Sequence, residues 1–588
     1  MSPFRQGPHG KLSPMANPLD SASAAMDRPK YQTTIVEVLF SRITESGDRA
    51  AVHVKRHGKF QPLTWNEVAR DVRRMCVALG YFGVRAGDRV VQVGENSYEW
   101  IVADLAIMTC QAVHVPVHAP LSGAQLAFQI RDSGAKIVLL SGAEQAEKLA
   151  SVADQLPADG PYFSHEDCYV KIWGNAVRRI GEVAAQADQL NLQDAEGIEQ
   201  AALRELSPDS LATILYTSGT TGEPKGVCLT QRNLVSNAMA TLEVFDQREG
   251  DLRLAFLPLS HIFARTCDLY TWIISGGELA IAEKRETIIA DAKEVKPTHI
   301  SGVPYFYDKV HRGLVDAGAA EQPGAFNAML GGRLRMCAGG GAALPDYLYD
   351  FYEAQGNPVL QGYGLTETSP VITVSSADAR KKGSSGRAIP DVEIRIADDG
   401  EILTRGPHVM QGYWQNEAAT GEMIDADGWL ATGDLGHLDE DGFLFITGRK
   451  KEIIVTAAGK NVAPALLESL LTEDPLIIQA MIVGDDRRYL SALIVPDPDH
   501  LKAEIKRRWL VAFSTKGYLQ HAKVQKMYEE IIARRLAELS HHEQVRRFTL
   551  LDRGFTIESG ELTPKSSLRR EVIAKNFAPE IEAMYDNA

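Results

Sequence analysis

The sequence predicts an α/β protein in which a large N-terminal domain of parallel and mixed sheets, covered by helices, precedes a small α+β lid domain. Three observations carry that expectation. Strand-like and helix-like apolar patterns alternate from residue 64 to 140. Apolar, glycine-punctuated segments then resume at Leu211 and run to about 448. Beyond 450 the pattern changes to a pair of strands and one long helical stripe. With 588 residues the chain is long enough for several cores, and the expected division is a flexible leader at 1–30, a large domain at 31–449 and a small one at 450–588.

The elements follow in order. Thr64-x-x-Glu67 is a capping box; Val68, Val72, Met75 and Leu79 keep helical spacing, and Gly80 stops the helix. Residues 90–93 form a short apolar run suited to a buried strand. Ser97 opens the next helix, 113–117 is extended, and Ser122-x-x-Gln125 caps a helix that leads to a strand at 136–140. Repetition of strand and helix at this spacing implies a largely parallel sheet covered on both faces. Residues 155–206 are polar and rich in Ala, Gln and Glu, which reads as helical surface and connection. In the last part, 477–483 and 489–495 read as paired strands, and Val524, Met527, Tyr528, Ile531 and Leu536 as one helix face.

Composition excludes several functions. Hydrophobic residues make up 45% and charged ones 24%, as in an ordinary globular protein. With 62 basic against 77 acidic side chains the formal charge is −15, and no long basic tract offsets it, so nucleic acid is not an expected partner. None of the six cysteines forms a Cys-x-x-Cys pair, so reduced thiols in a cytoplasmic protein are expected rather than a zinc or disulfide framework. The first thirty residues lack the apolar core of a signal peptide. The most apolar long stretch, 101–117, carries Asp104, Gln111 and His114 and is too polar to span a bilayer. Peripheral membrane contact and oligomeric state stay open.

The densest chemical signal is Tyr216-Thr-Ser-Gly-Thr-Thr-Gly-Glu-Pro-Lys-Gly226, directly after the apolar run 211–215. Gly219 and Gly222 let the backbone turn tightly, Ser218, Thr220 and Thr221 add hydroxyls, and Lys225 adds a mobile positive charge. A loop of this kind wraps polyphosphate oxygens. It is not the common NTPase loop, because Gly226 follows Lys225 where Ser or Thr would stand.

This segment resembles the phosphate loop of the adenylate-forming superfamily, which includes acyl-CoA synthetases, firefly luciferase and peptide-synthetase adenylation domains. Further stretches match in the same order: Pro258-Leu-Ser-His-Ile-Phe-Ala-Arg265, Gly339-Gly-Gly-Ala-Ala343, Gln361-Gly-Tyr-Gly-Leu-Thr-Glu-Thr368, Asp427-Gly-Trp-Leu-Ala-Thr-Gly-Asp434, Gly448-Arg449, Ala457-Ala-Gly-Lys-Asn-Val-Ala-Pro464 and Gly560-Glu-Leu-Thr-Pro-Lys-Ser-Ser-Leu-Arg-Arg570.

The resemblance implies an adenylate-forming fold and a set of roles. Thr217, Ser218, Gly219, Thr220, Thr221, Gly222 and Lys225 would hold the phosphates of ATP. Gly339 and Gly340 would lie against the base, with Tyr363, beside Gly364, offering its flat face to adenine. Thr366 would bond the α-phosphate, while Glu367 and Thr217 would hold Mg2+. Asp434 and Arg449 would take the ribose, and Lys451 would be the hinge between domains. Gly459 would loosen the loop that lines the thiol tunnel, and His261 would stand near the reacting carboxylate or the incoming thiol.

One departure matters. Long-chain members carry the catalytic lysine where this chain has Ser567, and the nearby Lys565 is the candidate replacement, bridging the substrate carboxylate and the α-phosphate. The implied reaction joins a carboxylic acid to AMP and then passes the acyl group to a thiol, most simply that of coenzyme A, as the small domain exchanges its two faces. Motif wording is most similar to bacterial long-chain fatty acyl-CoA synthetases and bubblegum-type relatives. Two alternatives are an acyl-AMP ligase that loads a carrier protein, and a non-catalytic nucleotide- or acyl-binding protein, the latter suggested only by Ser567.

Overall fold

The computed structural model describes residues 30–157, 160–186, 193–217, 223–248, 250–508, 515–556, 559–562 and 568–586. The expected leader therefore lies almost wholly outside the described residues.

The alternation of the N-terminal third folds as its caps dictate. Thr64 and Glu67 close a reciprocal capping box on the helix Trp65–Tyr81, and Ser122 and Gln125 do the same for Gly123–Asp132. Ser97 caps Tyr98–Thr109, a helix apolar on all sides because it is buried all round. Between these helices the strands Arg89–Gly94, Val113–His118 and Ile137–Leu140 pair in parallel. They are part of an eight-stranded sheet that continues through Leu211–Thr217 and Lys225–Thr230 to the edge strand Gly412–Tyr413. Leu211–Thr217 and Lys225–Thr230 run antiparallel, with Thr217 opposite Lys225 at the end of the ladder.

A second, nine-stranded sheet is parallel in its centre. Leu252–Ala255, His299–Gly302, Met336–Gly339 and Val359–Gly364 lie side by side, and all their carboxyl ends open on one edge. Ligands of open α/β sheets bind at that edge. The largest buried cluster lies between the two sheets, where Trp65 and Trp272 stack with ring centroids 4.6 Å apart. An antiparallel four-stranded sheet from Glu393 to Arg449 follows.

The last part has its own core. Ile477–Val483 pairs antiparallel with Leu490–Pro496, and Ala522–Arg535 packs Val524, Met527, Tyr528, Ile531 and Ile532 onto them. Residues 155–206 differ from expectation. They hold the helices Ile180–Gln186 and Gln193–Glu205 but also four short strands, two of which extend the first sheet. Strands of two or three residues carry no readable alternation, so the sequence pattern could not reveal them. No helix among the described residues is long and apolar enough to cross a membrane.

Candidate active site

The site is assembled from turns at the carboxyl ends of the central strands. In the segment Val359–Gly364 and the turn after it, Tyr363 and Glu367 are four residues apart and each leads a separate cluster. A Cβ on Gly364 would fall 1.7 Å from the Pro370 carbonyl oxygen, so only glycine allows the backbone to fold back there. Asn237, buried on the helix Gln231–Val244, fixes the return: its amide donates to the Val371 and Thr368 carbonyls, and its oxygen accepts from the Val371 N–H. Thr366 is buried and Glu367 half-buried.

The first cluster gathers residues expected to serve the phosphates. Lys225 sits 5.1 Å from the centroid of the Tyr413 ring, and the Tyr413 hydroxyl donates to Glu367 Oε1 at 3.0 Å. Burial, with the Glu367 carboxylate beside it, pushes the Tyr413 hydroxyl well above its ordinary pKa, so it stays a donor. The Thr217 hydroxyl contacts the Lys225 carbonyl at 3.5 Å across the hairpin stem. Ser218, Gly219, Thr220, Thr221 and Gly222 lie outside the described residues. Sequence reasoning missed Tyr413. Its signal was the run Gln411-Gly-Tyr-Trp414, which forms the sheet edge through Gln411 N to Cys228 O and Trp414 N to Gly226 O.

The second cluster suits a ribose. Tyr363 donates to Asp434 Oδ2 at 2.7 Å, and Arg449 Nε lies 3.0 Å from Asp434 Oδ1. Asp434 and Arg449 face each other across the ladder of the strands Leu430–Leu438 and Leu444–Arg449, which is why a motif and a residue fifteen positions later meet. Burial raises the Asp434 pKa while the Arg449 charge opposes it. A carboxylate offers about four lone-pair sites, so two stay available to sugar hydroxyls. The Tyr363 ring, tethered by its hydroxyl, is half-buried at the edge of the same clamp, as an adenine platform requires.

The glycine triplet and the Pro258–Arg265 motif meet directly. A Cβ on Gly340 would stand 3.2 Å from the Phe263 ring, and one on Gly339 would strike Val359 Cγ1 at 2.6 Å. His261 caps the short helix Ile262–Ala264, its Nδ1 accepting from Phe263 N at 3.2 Å. The turn before it is held from the other sheet: Asn96 donates to the Leu257 carbonyl and accepts from Leu259 N, and His118 Nδ1 lies 2.8 Å from Ser260 Oγ. Asn96 and His118 gave no motif signal, because their role exists only once the two sheets are packed.

Behind this helix lies a buried polar network. Arg265, Asp104 and His114 are all fully buried. Arg265 pairs with Asp104, donates to Thr213 Oγ1 at 2.7 Å and lies 2.8 Å from His114 Nδ1, while Tyr270 reaches Asp104 Oδ2 at 3.3 Å. The Thr213 hydroxyl donates in turn to the His114 carbonyl. Burial, reinforced by the Arg265 charge, lowers the His114 pKa to about 4, and Arg265 and His114 hold Asp104 ionised against its burial. The helix bearing His261 is thereby fixed to the strand that ends in the phosphate loop. From Arg265 to Tyr270 the helix widens to π geometry, a form common at functional sites.

At the expected hinge, restraints flank one residue. Arg449 is paired with Asp434, and Lys450 with Asp399 and Glu401 at 2.6 and 2.8 Å. On the other side, Glu452 contacts Arg570 at 3.4 Å, and Arg570 forks onto Glu468 at 2.6 and 2.7 Å. Lys451, exposed, stands between the two sets. The loop with Gly459 (φ 69°) faces solvent from Ala457 to Asn461, and Pro464 opens the helix that follows. Lys565 lies outside the described residues. Its neighbours Leu562 and Leu568 form an antiparallel bridge, and Glu561 beneath them is held by Arg553, Ser559 and Asn576. Among the described residues no group of three or more His, Cys, Asp or Glu side chains forms a metal cage.

Comparison with known proteins identifies the family. The family described as AMP-binding enzyme matches residues 39–414, and the AMP-binding enzyme C-terminal domain matches 451–588. The chain is 35% identical to the long-chain-fatty-acid–CoA ligase FadD15 of Mycobacterium bovis, covering 100% of this chain and 98% of that one. It is 27% identical to the long-chain-fatty-acid–CoA ligase ACSBG1 of Homo sapiens, covering 95% and 86%. Among solved structures, the anthranilate CoA ligase AuaEII in complex with anthranoyl-AMP superposes with a TM-score of 0.74 at 20% identity, covering 95% of this chain and 99% of that one.

Proposed function

The chain belongs to the AMP-binding enzyme family, and from that premise we propose that it activates a long-chain fatty acid with ATP and passes the acyl group to coenzyme A. The observation that carries this reading is the spacing of Tyr363 and Glu367. One turn joins a ribose clamp, Tyr363–Asp434–Arg449, to a phosphate cluster, Glu367–Tyr413–Lys225. A nucleotide bound across that turn directs its phosphates toward Lys225 at the open end of the paired strands.

In the first half-reaction a carboxylate oxygen attacks the α-phosphorus, pyrophosphate leaves and the acyl-adenylate forms. Lys225 and the loop hydroxyls take the departing phosphates, and Thr366 the α-phosphate. One carboxylate and one hydroxyl, Glu367 and Thr217, fit Mg2+, which is usually held by one or two carboxylates with the rest of its shell from phosphate and water. Bound there, the ion offsets phosphate charge. Lys565 bridges the approaching carboxylate and phosphate in place of the lysine absent at 567. In the second half-reaction the small domain, 450–588, turns about Lys451, withdraws Lys565 and presents the loop around Gly459. The thiol then attacks the acyl carbon and expels AMP, near His261.

The test is ATP–pyrophosphate exchange over a panel of fatty acids, followed by thioester formation with coenzyme A. Acid-dependent exchange and thioester are expected. Lys565→Ala should abolish exchange while sparing thioester formation from supplied acyl-adenylate. Exchange at the normal rate in that variant would remove Lys565 from the mechanism, and no AMP from ATP with any acid would overturn the whole reading.

A further inference from the structure

We propose that Asp132 is a positioning residue for the phosphates of ATP, holding Thr217, Lys225 and Tyr413 in place through a clasp on the opposite face of their sheet. Register separates the two faces. Tyr216 pairs with Gly226, and Trp414 N bonds the Gly226 carbonyl, so these three residues form one row across three strands. Thr217 pairs with Lys225 in the row on one side, and Val227 with Tyr413 in the row on the other. Side chains of neighbouring rows point to opposite faces of a sheet. Each residue expected at the phosphates is therefore one position from a residue that faces away from them. Packing agrees. Leu215, Val227 and Tyr413 belong to the core between the two sheets, whereas Tyr216 and Trp414 lie against a separate cluster with Ile214 and Cys228.

The far face is gripped by the end of one helix. Asp132 is the last residue of Gly123–Asp132. Its Oδ2 accepts from the Tyr216 hydroxyl at 2.5 Å, and its backbone carbonyl accepts from the Trp414 indole N–H at 3.0 Å. Phe128, one turn earlier, meets the Tyr216 ring edge-on with centroids 6.3 Å apart. Arg89 donates to the Ser133 and Gly134 carbonyls at 2.8 and 2.9 Å and sets its guanidinium 5.7 Å from the Trp414 ring. Between the two rings only glycine fits. A Cβ on Gly226 would stand 2.7 Å from Ile214 Cγ2, 3.1 Å from Trp414 Cβ and 3.4 Å from the Tyr216 ring. Burial, with the Asp132 hydrogen bond, raises the pKa of the Tyr216 hydroxyl, so it remains a donor.

One exposed residue thus ties together the two strands that flank the strand of Lys225. The ribose clamp of Tyr363, Asp434 and Arg449 shares none of these contacts. Loosening the clasp lowers the fraction of molecules in which Thr217, Lys225 and Tyr413 are correctly spaced, and apparent affinity falls by that fraction. The loss applies to a ligand that carries β- and γ-phosphates and spares AMP, which ends at the α-phosphate.

The test is calorimetric titration of the full chain with AMP and, with magnesium present, with ATP. Asp132→Ala should weaken ATP binding by about fivefold or more and leave AMP affinity unchanged. Asp132→Asn, which keeps an acceptor oxygen, should bind ATP as the wild type does. Tyr216→Phe should reproduce the Asp132→Ala loss, and the two together should lose no more than either alone. In ATP–pyrophosphate exchange the same loss should appear in the KM for ATP, with the KM for the acid unmoved. Asp132 is exposed, so the melting temperature should move by less than about 2 °C. The proposal is overturned if Asp132→Ala binds ATP as the wild type does, if Asp132→Asn fails to restore binding, or if the two losses add. It is also overturned if ATP and AMP affinities fall together with the melting temperature, as a purely structural role would cause. The proposal rests on the ligase reading in taking Thr217, Lys225 and Tyr413 as phosphate residues, but the two fail separately. A wild-type chain that binds ATP without acid-dependent exchange sinks that reading alone, and unchanged ATP affinity in Asp132→Ala sinks only this one.

Discussion

Two pairs of aspartate and arginine stand within the same large domain and do different work. Asp104 and Arg265 are both 0% exposed, and their remaining polar atoms are largely met by His114, Thr213 and Tyr270. Asp434 is also buried, with 5% of its side chain accessible, but its partner Arg449 is 51% exposed. The first pair is sealed from solvent, with Arg265 Nε the atom left without a partner, and its role is to fix two elements in place. The second is half open, with spare lone pairs on Asp434 and a solvated guanidinium beside it. The openness of a charge pair, more than its presence, distinguishes scaffold from site in this molecule.

The largest test of that contrast strikes the closed pair. Asp104→Asn leaves the Arg265 charge buried without its counter-ion and should cost about 3–5 kcal/mol of unfolding free energy, measured by urea titration. Replacing both at once, Asp104→Leu with Arg265→Met, should recover part of that loss. A single-variant effect below about 1 kcal/mol would show that the network does not hold the two elements together.

Acid should weaken the same network. The folded pKa of His114, about 4, lies below its ordinary value of 6.5, so the unfolded chain takes up a proton first on acidification. The stability gained by keeping this histidine neutral is complete above pH 6.5 and is lost as pH falls toward 4. A loss on the order of 3 kcal/mol is expected from His114. His165, lowered by burial to about 4, and His408, lowered to about 3, act with the same sign. A urea midpoint that stays flat over this range would contradict the buried neutral histidines.

The smallest effect on the fold, and the most specific to binding, belongs to the open pair. Asp434→Ala removes one acceptor shared by Tyr363, Arg449 and the expected ribose. AMP affinity, read by calorimetry, should fall about 10- to 100-fold. Stability should fall far less than in Asp104→Asn. If both variants lose stability equally and Asp434→Ala still binds AMP, the distinction between the pairs fails.

Much of the site could be read from the chain because its parts are local. The hairpin loop at 217–225, the Tyr363/Glu367 turn and the Asp434 motif each place their chemistry within about ten residues, where glycine, hydroxyl and charge spacing speak directly. Caps at Thr64, Ser97 and Ser122 were equally plain, since an N-cap, with or without the full box, spans four residues. Tyr413, Asn96, His118 and Asn237 could not be read in this way. Their partners lie from 46 to more than 160 positions away, and no local pattern encodes such a distance.

The sequence by itself determined the alternating elements, the family motifs and the class of chemistry, because backbone caps, apolar periods and phosphate-binding turns act over a few residues. Only the tertiary structure decided which of the many charged side chains are sealed and which are open. It also decided that the cluster of Tyr363, Asp434 and Arg449 and the cluster of Glu367, Tyr413 and Lys225 share one turn. Burial depends on what the rest of the chain packs against, and that is a sum over distant residues that no single segment contains.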